Sequence, residues 1–112
     1  MDLDMHKSGE VQVIRLRGSL RLGEGVDQFR RVVENLAAQG DVKVVVNLSE
    51  VPMVDSTGIG ALVRAQTSMK PKGGAVRLVA PGRLVLQTLT ITGLLTVFEV
   101  YDDDAKAIAA FS

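Results

Sequence analysis

The sequence contains no cysteine and only one histidine, His6, among its 112 residues. Without cysteine there is no disulfide framework, no thiolate metal site and no cysteine nucleophile, so cysteine usage does not indicate a compartment. A lone histidine near the N-terminus has no second imidazole with which to share a metal, and no plausible pairing with a serine in a hydrolase triad. We therefore expect a protein that is not an enzyme and that binds neither a metal nor a cofactor.

The sequence also lacks an excess of charge and a long apolar run. Thirteen basic and thirteen acidic residues give a formal net charge of zero, which argues against electrostatic binding to nucleic acid or to a membrane surface. No apolar stretch approaches the ~20 residues that cross a bilayer, and the acidic N-terminus does not resemble a secretory signal. We expect a soluble cytoplasmic protein, without membrane insertion, in which residues 1–112 form one domain.

Two glycine clusters and one run of aspartates have simple structural explanations. Gly23-Glu24-Gly25 and Pro71-Lys72-Gly73-Gly74 fit neither a P-loop nor a dinucleotide fingerprint and are interpreted as turns. Asp102, Asp103 and Asp104 are consecutive, so they do not converge on one metal ion without other ligands. We interpret them as the acidic first turn of a terminal helix.

Apolar residues alternate between strand and helix spacing along the chain. Residues near 2–7 and 11–17 are predicted to form a hairpin, with Ile14 and Leu16 on one face of the sheet. Further strands are predicted at 42–48, 75–80 and 96–101; helices are predicted from Val26 to a stop at Gly40, from Ile59 to Met69, over Val85, Leu86 and Leu89, and over Ala105, Ile108 and Phe111. This order predicts an α/β fold with a mixed, mostly parallel sheet of four to five strands, an N-terminal antiparallel hairpin and about four helices.

The stretch from Val44 to Gly60 is the candidate functional segment. An apolar run typical of a central strand is followed by a turn and then by Asp55, Ser56 and Thr57, where a helical pattern begins. The first amides of a helix lack intrahelical partners and carry partial positive charge, so a hydroxyl or an anion is well accommodated there. Two interpretations stay open: Ser56 carries a phosphate, or Asp55 or Ser56 is only the helix N-cap.

With this segment the chain resembles the STAS domains, and within them the stand-alone bacterial antagonists of anti-sigma factors. The family typically has an apolar strand ending in Asp-Leu or Asn-Leu, followed by Asp-Ser-Ser-Gly or Asp-Ser-Thr-Gly. The matching segments are Val45-Val46-Asn47-Leu48, Val54-Asp55-Ser56-Thr57-Gly58-Ile59-Gly60, Ile14-Arg15-Leu16-Arg17-Gly18, Gly74 and Thr92-Gly93-Leu94-Leu95. The resemblance covers nearly the whole chain and implies a STAS fold.

The resemblance implies a phosphorylation switch. Ser56 matches the serine that is phosphorylated by the anti-sigma factor, which is itself an ATP-dependent kinase; Thr57 is the rival acceptor. The unphosphorylated family member binds this kinase and frees a sigma factor. The phosphorylated form dissociates from the kinase, and a phosphatase restores the unphosphorylated form. The partner-binding residues are then expected to be Asp55, Ser56, Thr57, Gly58, Ile59, Gly60 and Arg21. We expect a monomer, or a weak dimer through the exposed edge strand.

One position departs from the family pattern. Well-known antagonists carry an acidic residue shortly after the glycine of the second strand, whereas this sequence has Arg21. Arg21 either changes the contacts with a partner or is a solvated loop charge. A second functional hypothesis is a constitutive STAS subunit, for example of a lipid-transport ATPase complex, in which Ser56 is an unmodified contact or cap.

Overall fold

The hairpin and the alternating elements build one mixed sheet. The computed structural model describes residues 1–111. Its strands are β1 (Asp2–Ser8), β2 (Val11–Arg17), β3 (Lys43–Glu50), β4 (Ala75–Val79) and β5 (Val100–Tyr101); its helices are α1 (Glu24–Gln39), α2 (Ser56–Met69), α3 (Arg83–Ile91) and α4 (Asp104–Ala109). The strand order is β1-β2-β3-β4-β5, and only the β1–β2 pair is antiparallel. The predicted fold class is confirmed.

Strand β3 lies at the centre of the sheet and is covered on both faces. Val44 and Val46 are in a large core with residues of α1, α2 and α3, whereas Val45 is in a smaller core with Ala107 of α4. All three valines are fully buried. The unbroken apolar run of this strand therefore follows from burial on both sides, and it fixes the end of β3, from which the candidate functional segment continues.

Helices α1 and α2 lie side by side on the large-core face of the sheet. Helix α1 buries one stripe at helical spacing, which consists of Val26, Phe29, Val33 and Leu36. It ends at Gly40, whose φ of 80° lies in the left-handed region, as the predicted helix stop requires. Helix α2 buries Ile59, Leu62, Ala65 and Met69 among others.

The last strand is shorter than predicted. Residues 96–101 were expected to form a strand, but Leu95–Val97 form one turn of 3-10 helix and only Val100–Tyr101 pair with β4. The amides of Val97 and Phe98 donate to carbonyls within the turn instead of to a strand. The Phe98 side chain is buried in the large core, so packing of this aromatic ring overrides the strand pattern.

Helices α3 and α4 form where helices are predicted, although α4 ends at Ala109, before Phe111. Ala105 of α4 is exposed, and Ala107 is the fully buried alanine, since two residues turn a helix by about 200°. In α3, Leu86 is 40% exposed, whereas Val85 and Leu89 are fully buried.

The three consecutive aspartates have separate partners, which confirms that they mark a helix start. Asp103 is the N-cap of α4 and accepts from the Lys106 amide at 2.8 Å. Asp104 accepts from the Asn47 side-chain amide at 2.9 Å, and Asp102 lies 3.6 Å from the Lys106 ammonium.

Gln66 is a buried polar residue that sequence reasoning did not single out. Its side-chain oxygen accepts from the Val76 amide at 2.6 Å, and its side-chain nitrogen donates to the Val97 carbonyl at 2.9 Å. One side chain of α2 thereby binds the backbone of β4 and the turn before β5. Since it binds both backbone segments, we expect Gln66 to position the C-terminal third of the chain.

We predict that Gln66→Met lowers the free energy of unfolding by about 1–3 kcal/mol, because the buried Val76 amide and the partly buried Val97 carbonyl lose their hydrogen-bond partner. Urea denaturation measures this change. The matched control is Gln87→Met, at an exposed position of α3, which should shift the free energy of unfolding by less than about 0.5 kcal/mol. Equal effects of the two substitutions would contradict the bridging role.

Candidate functional site

The candidate segment joins the end of β3 to the start of α2. Val51 and Val54 are buried and anchor the connection, whereas Met53 between them is exposed. Val54 forms an isolated parallel bridge with Leu20 of the β2–α1 loop. Helix α2 then begins at Ser56, so the structure places the serine in the first turn of a helix.

Asp55 is the N-cap of α2, which settles the question of the cap. One carboxylate oxygen, Oδ1, accepts from the Gly58 amide at 2.7 Å, and the other, Oδ2, accepts from the Leu22 amide at 2.9 Å. These amides, that of Leu22 first and then that of Gly58, hold the pKa of Asp55 below its ordinary value, because they favour the charged form. Since Asp55 supplies the cap, the exposed Ser56 is left without that task.

The β2–α1 loop is bound along the candidate segment. The Leu20 amide donates to the Met53 carbonyl at 3.1 Å, and the Leu20 carbonyl accepts from the Asp55 amide at 3.2 Å. Leu20 itself is fully buried. Together with the contact between Leu22 and Asp55, these bonds hold residues 20–22 against the start of α2.

Two of the expected partner-binding residues lie beneath the surface. Ile59 is buried in the large core. Gly58 is also buried, and a Cβ built on it would lie 2.2 Å from the Leu20 carbonyl oxygen and 2.6 Å from Cγ1 of Val54. The expectation that Gly58 allows close approach of a partner is therefore corrected, since the close approach is made by the chain's own β2–α1 loop.

The other predicted site residues reach the surface. Ser56 and Arg21 are exposed, and Thr57 and Gly60 are half-buried. A Cβ built on Gly60 would meet no atom within 4 Å, so space is open above this glycine. Ser56 and Gly60 are four residues apart and thus lie on one face of α2.

A groove of about 550 Å³ runs between α1 and α2 and has Ser56 among its lining residues. Its apolar lining includes Val26 and Val33 of α1 and Ala61 and Ala65 of α2. Its charged residues are Asp27, Arg30 and Glu34 of α1 and Arg64 of α2. Sequence reasoning missed this groove; the small residues Gly60, Ala61 and Ala65 at helical spacing on α2 were the available signal.

Three exposed apolar side chains follow three neighbouring strands of the sheet. Leu22, Met53 and Leu84 follow β2, β3 and β4, respectively, and are 77%, 38% and 57% exposed. The three connections are neighbours, because residues 20–22 bind residues 53–55 and a Cβ built on Gly82 would lie 3.9 Å from the Val51 carbonyl oxygen. Apolar residues at the carboxyl ends of parallel strands favour an interaction surface here.

The same chain architecture occurs in known proteins. The family model described as "STAS domain" matches residues 2–107. A candidate anti-sigma factor antagonist from Thermotoga neapolitana is 31% identical over 86 residues, which are 76% of each chain. The chain therefore belongs to the STAS domain family.

Solved structures of related proteins superpose over most of the chain. The crystal structure of a candidate anti-sigma factor antagonist from Thermotoga maritima has a TM-score of 0.90 and 25% identity, covering 96% of this chain and 92% of that one. The phosphorylated form of the Bacillus cell fate determinant SpoIIAA has a TM-score of 0.78 and 21% identity, covering 99% of this chain and 100% of that one. The second match bears on the fold alone.

None of the helices within residues 1–111 has the length and apolar composition needed to cross a membrane.

We predict opposite effects for two glycines that lie one half-turn apart in α2. Gly58→Ala should lower the free energy of unfolding by about 1–3 kcal/mol, because the new methyl group meets the Leu20 carbonyl and Val54. Gly60→Ala should raise it by about 0.5–1 kcal/mol, because alanine loses less backbone entropy in a helix and meets no neighbour. Chemical denaturation of both variants checks this, and a neutral Gly58→Ala would refute the inward packing.

We predict that Asp55→Ala costs about 0.5–2 kcal/mol of stability, as for other lost N-caps. Asp55→Asn keeps one acceptor oxygen, which can still cap the helix, but its NH2 group cannot accept the second amide N–H. The pKa of Asp55 is lowered in the folded state, so its charge stabilises the fold above the ordinary aspartate pKa and stops doing so as the pH falls through the folded value. The stability difference between wild type and Asp55→Asn should therefore shrink from about pH 6 to about pH 3. A difference that stays constant over this range would contradict the charged cap.

Proposed function

We propose that the protein is a cytoplasmic anti-sigma factor antagonist whose binding is switched off by phosphorylation of Ser56. In the unphosphorylated form it binds an anti-sigma factor that is an ATP-dependent serine kinase, and a sigma factor is released. The kinase then phosphorylates Ser56 and the complex separates. A phosphatase restores the hydroxyl.

The observation that carries the proposal is the exposed Ser56 at the first position of α2, next to an N-cap that is already supplied by Asp55. A serine that capped the helix would lose a stabilising hydrogen bond on phosphorylation. Ser56 is not the cap, so its phosphorylation breaks no such bond. Thr57 is half-buried and is the less accessible acceptor. The relatives from Thermotoga support the class of function, since they are candidate anti-sigma factor antagonists.

The surface around Ser56 suits a protein partner. Leu22 lines the same groove as Ser56, and the exposed side chains of Met53 and Leu84 add apolar area where β3 and β4 end. The open space above Gly60 allows a partner backbone to approach α2. In this proposal Asp55, Gly58 and Ile59 hold the surface in place from within. Ser56, Thr57, Gly60 and Arg21 contact the partner.

The proposed modification is an ordinary phosphoryl transfer. The Ser56 hydroxyl oxygen attacks the γ-phosphorus of ATP, the bond to the β-phosphate oxygen breaks, ADP leaves, and the hydroxyl proton passes to a base of the kinase. The product carries a charge of about −1.5 to −2 on Ser56 at neutral pH. The interface must then desolvate this charge or oppose it with its own acids.

Simple electrostatics indicates that the phosphate weakens binding. Two like unit charges ~5 Å apart cost about 1 kcal/mol in water and about 3 kcal/mol at an effective dielectric constant of 20. The partial positive charge of the helix N-terminus stabilises the phosphate by only about 0.3–2 kcal/mol. Because this stabilisation is the same in the unbound protein, it does not favour the complex. Because about 1.4 kcal/mol corresponds to tenfold in affinity, a loss of roughly ten- to a few hundredfold needs no conformational change.

We predict that wild type and Ser56→Ala capture a kinase-type anti-sigma factor from the host, whereas Ser56→Asp does not, and that phosphosite mapping of the wild type finds phosphate on Ser56. The matched control is Ser68→Asp, which adds the same charge to another residue that lines the groove and should leave capture intact. Thr57→Ala tests the rival acceptor and should remain phosphorylated on Ser56.

Two outcomes would contradict the switch. Equal capture of the kinase by Ser56→Asp and Ser56→Ala would show that charge at Ser56 does not control binding. Capture of membrane-transporter subunits by all baits, with no phosphate on the wild type, would instead support the constitutive STAS subunit.

A further inference from the structure

The backbone of Arg21 is held beside Ser56 by hydrogen bonds on both of its sides. The residue before it, Leu20, accepts from the Asp55 amide at 3.2 Å, and the residue after it, Leu22, donates to the Asp55 carboxylate at 2.9 Å. Asp55 directly precedes Ser56. Arg21 is therefore bracketed by two bonds to Asp55, the residue directly before the candidate phosphoacceptor.

The guanidinium of Arg21 has no carboxylate partner within residues 1–111. The arginines at 15, 17, 30 and 77 all form ion pairs there, whereas exposed Arg21 forms none, as is also the case for Arg31, Arg64 and Arg83. The Asp55 carboxylate is engaged by backbone amides through both oxygens. Arg21 contributes to the lowered pKa of Asp55 only after the amides of Leu22 and Gly58, which is consistent with a nearby charge that makes no direct contact.

We propose that Arg21 is the intramolecular counter-ion of phosphorylated Ser56. The inference rests on the phosphorylation of Ser56 proposed above. A guanidinium binds two phosphate oxygens in parallel, with charge-assisted hydrogen bonds, and a phosphoserine opposite an arginine can order a loop in this way. The phosphate thus fastens the β2–α1 loop more firmly to the start of α2.

This pairing gives phosphorylation a second effect on the binding surface. In the unphosphorylated protein, Arg21 is an exposed cation that is free to meet an acidic group of the partner. In the phosphorylated protein, the same cation is occupied by the chain's own phosphate. The modification therefore adds a negative charge and also withdraws a positive one, so an arginine at this position strengthens the switch.

Other charged groups near Ser56 also act on the phosphate, and their effect on its pKa must be distinguished from that of Arg21. They are Asp55 at the cap, Asp27, Arg30 and Glu34 on α1, and Arg64 on α2. Arg30 is paired with Asp27 and lies 4.0 Å from Glu34. Arg64 is the rival counter-ion, but it is eight residues along α2 from Ser56, or ~12 Å along the helix axis.

The test uses the full chain with phosphoserine installed at position 56 during translation, so that no kinase is needed. Titration by ³¹P NMR measures the second pKa of the phosphate. We expect Arg21→Gln to raise this pKa by about 0.5 relative to wild type, and Arg21→Lys to keep most of the wild-type value because the charge is retained. Arg31→Gln, which removes an exposed charge from α1 away from the groove lining, should have no effect.

The counter-ion role would be overturned if Arg21→Gln left the phosphate pKa unchanged, or if Arg64→Gln raised it more than Arg21→Gln does. It would also be overturned if Arg21→Lys behaved like Arg21→Gln, because the effect would then not be one of charge. None of these results would change the outcome of the capture experiment, because the phosphate in the titration is installed independently of the host. Conversely, absence of Ser56 phosphate in the host would refute the proposed function without changing the titration.

Discussion

The double hydrogen bond of the Asp55 carboxylate is the interaction on which the candidate site depends. One oxygen binds the first turn of α2 and the other binds the β2–α1 loop, so a single side chain sets the start of the helix and the position of the loop together. The buried contact between Gly58 and Leu20 lies directly beneath. Any larger residue at 58 would separate these two segments, which explains in physical terms why a glycine follows the Asp-Ser-Thr segment.

This arrangement also explains how the serine can be modified at small cost to the fold. Asp55 satisfies the helix amide that a serine cap would otherwise bind, and Ser56 stays at the surface. The partial positive charge of the helix terminus tolerates a phosphate. In our proposal, the fold is the same in both states, and the difference lies in the charge that a partner meets.

Much of the fold followed from periodicity and turn residues. The run from Val44 to Leu48 indicated a strand buried on both faces, and Gly40 marked the end of α1, because both signals are local. The end of the chain was harder to predict. Phe98 turns into the core and shortens the last strand, since tertiary packing decides here between a strand and a turn.

For the site, the sequence indicated the position of Ser56 but not what lies around it. The cap itself is a local bond from the Gly58 amide to Asp55, but the second bond of that carboxylate comes from the Leu22 amide, in a loop 33 residues away in the chain. The inward orientation of Gly58, the groove between α1 and α2 and the bracketed position of Arg21 likewise arise from contacts between distant segments. No local pattern encodes them.

In our proposal, phosphorylation of Ser56 controls binding of the anti-sigma factor. The most direct measurement is the dissociation constant of the anti-sigma factor for the unphosphorylated protein and for the protein carrying phosphoserine at position 56, determined by calorimetry with purified components. We expect phosphorylation to weaken binding at least about tenfold, or ~1.4 kcal/mol. Equal dissociation constants for the two forms would contradict it.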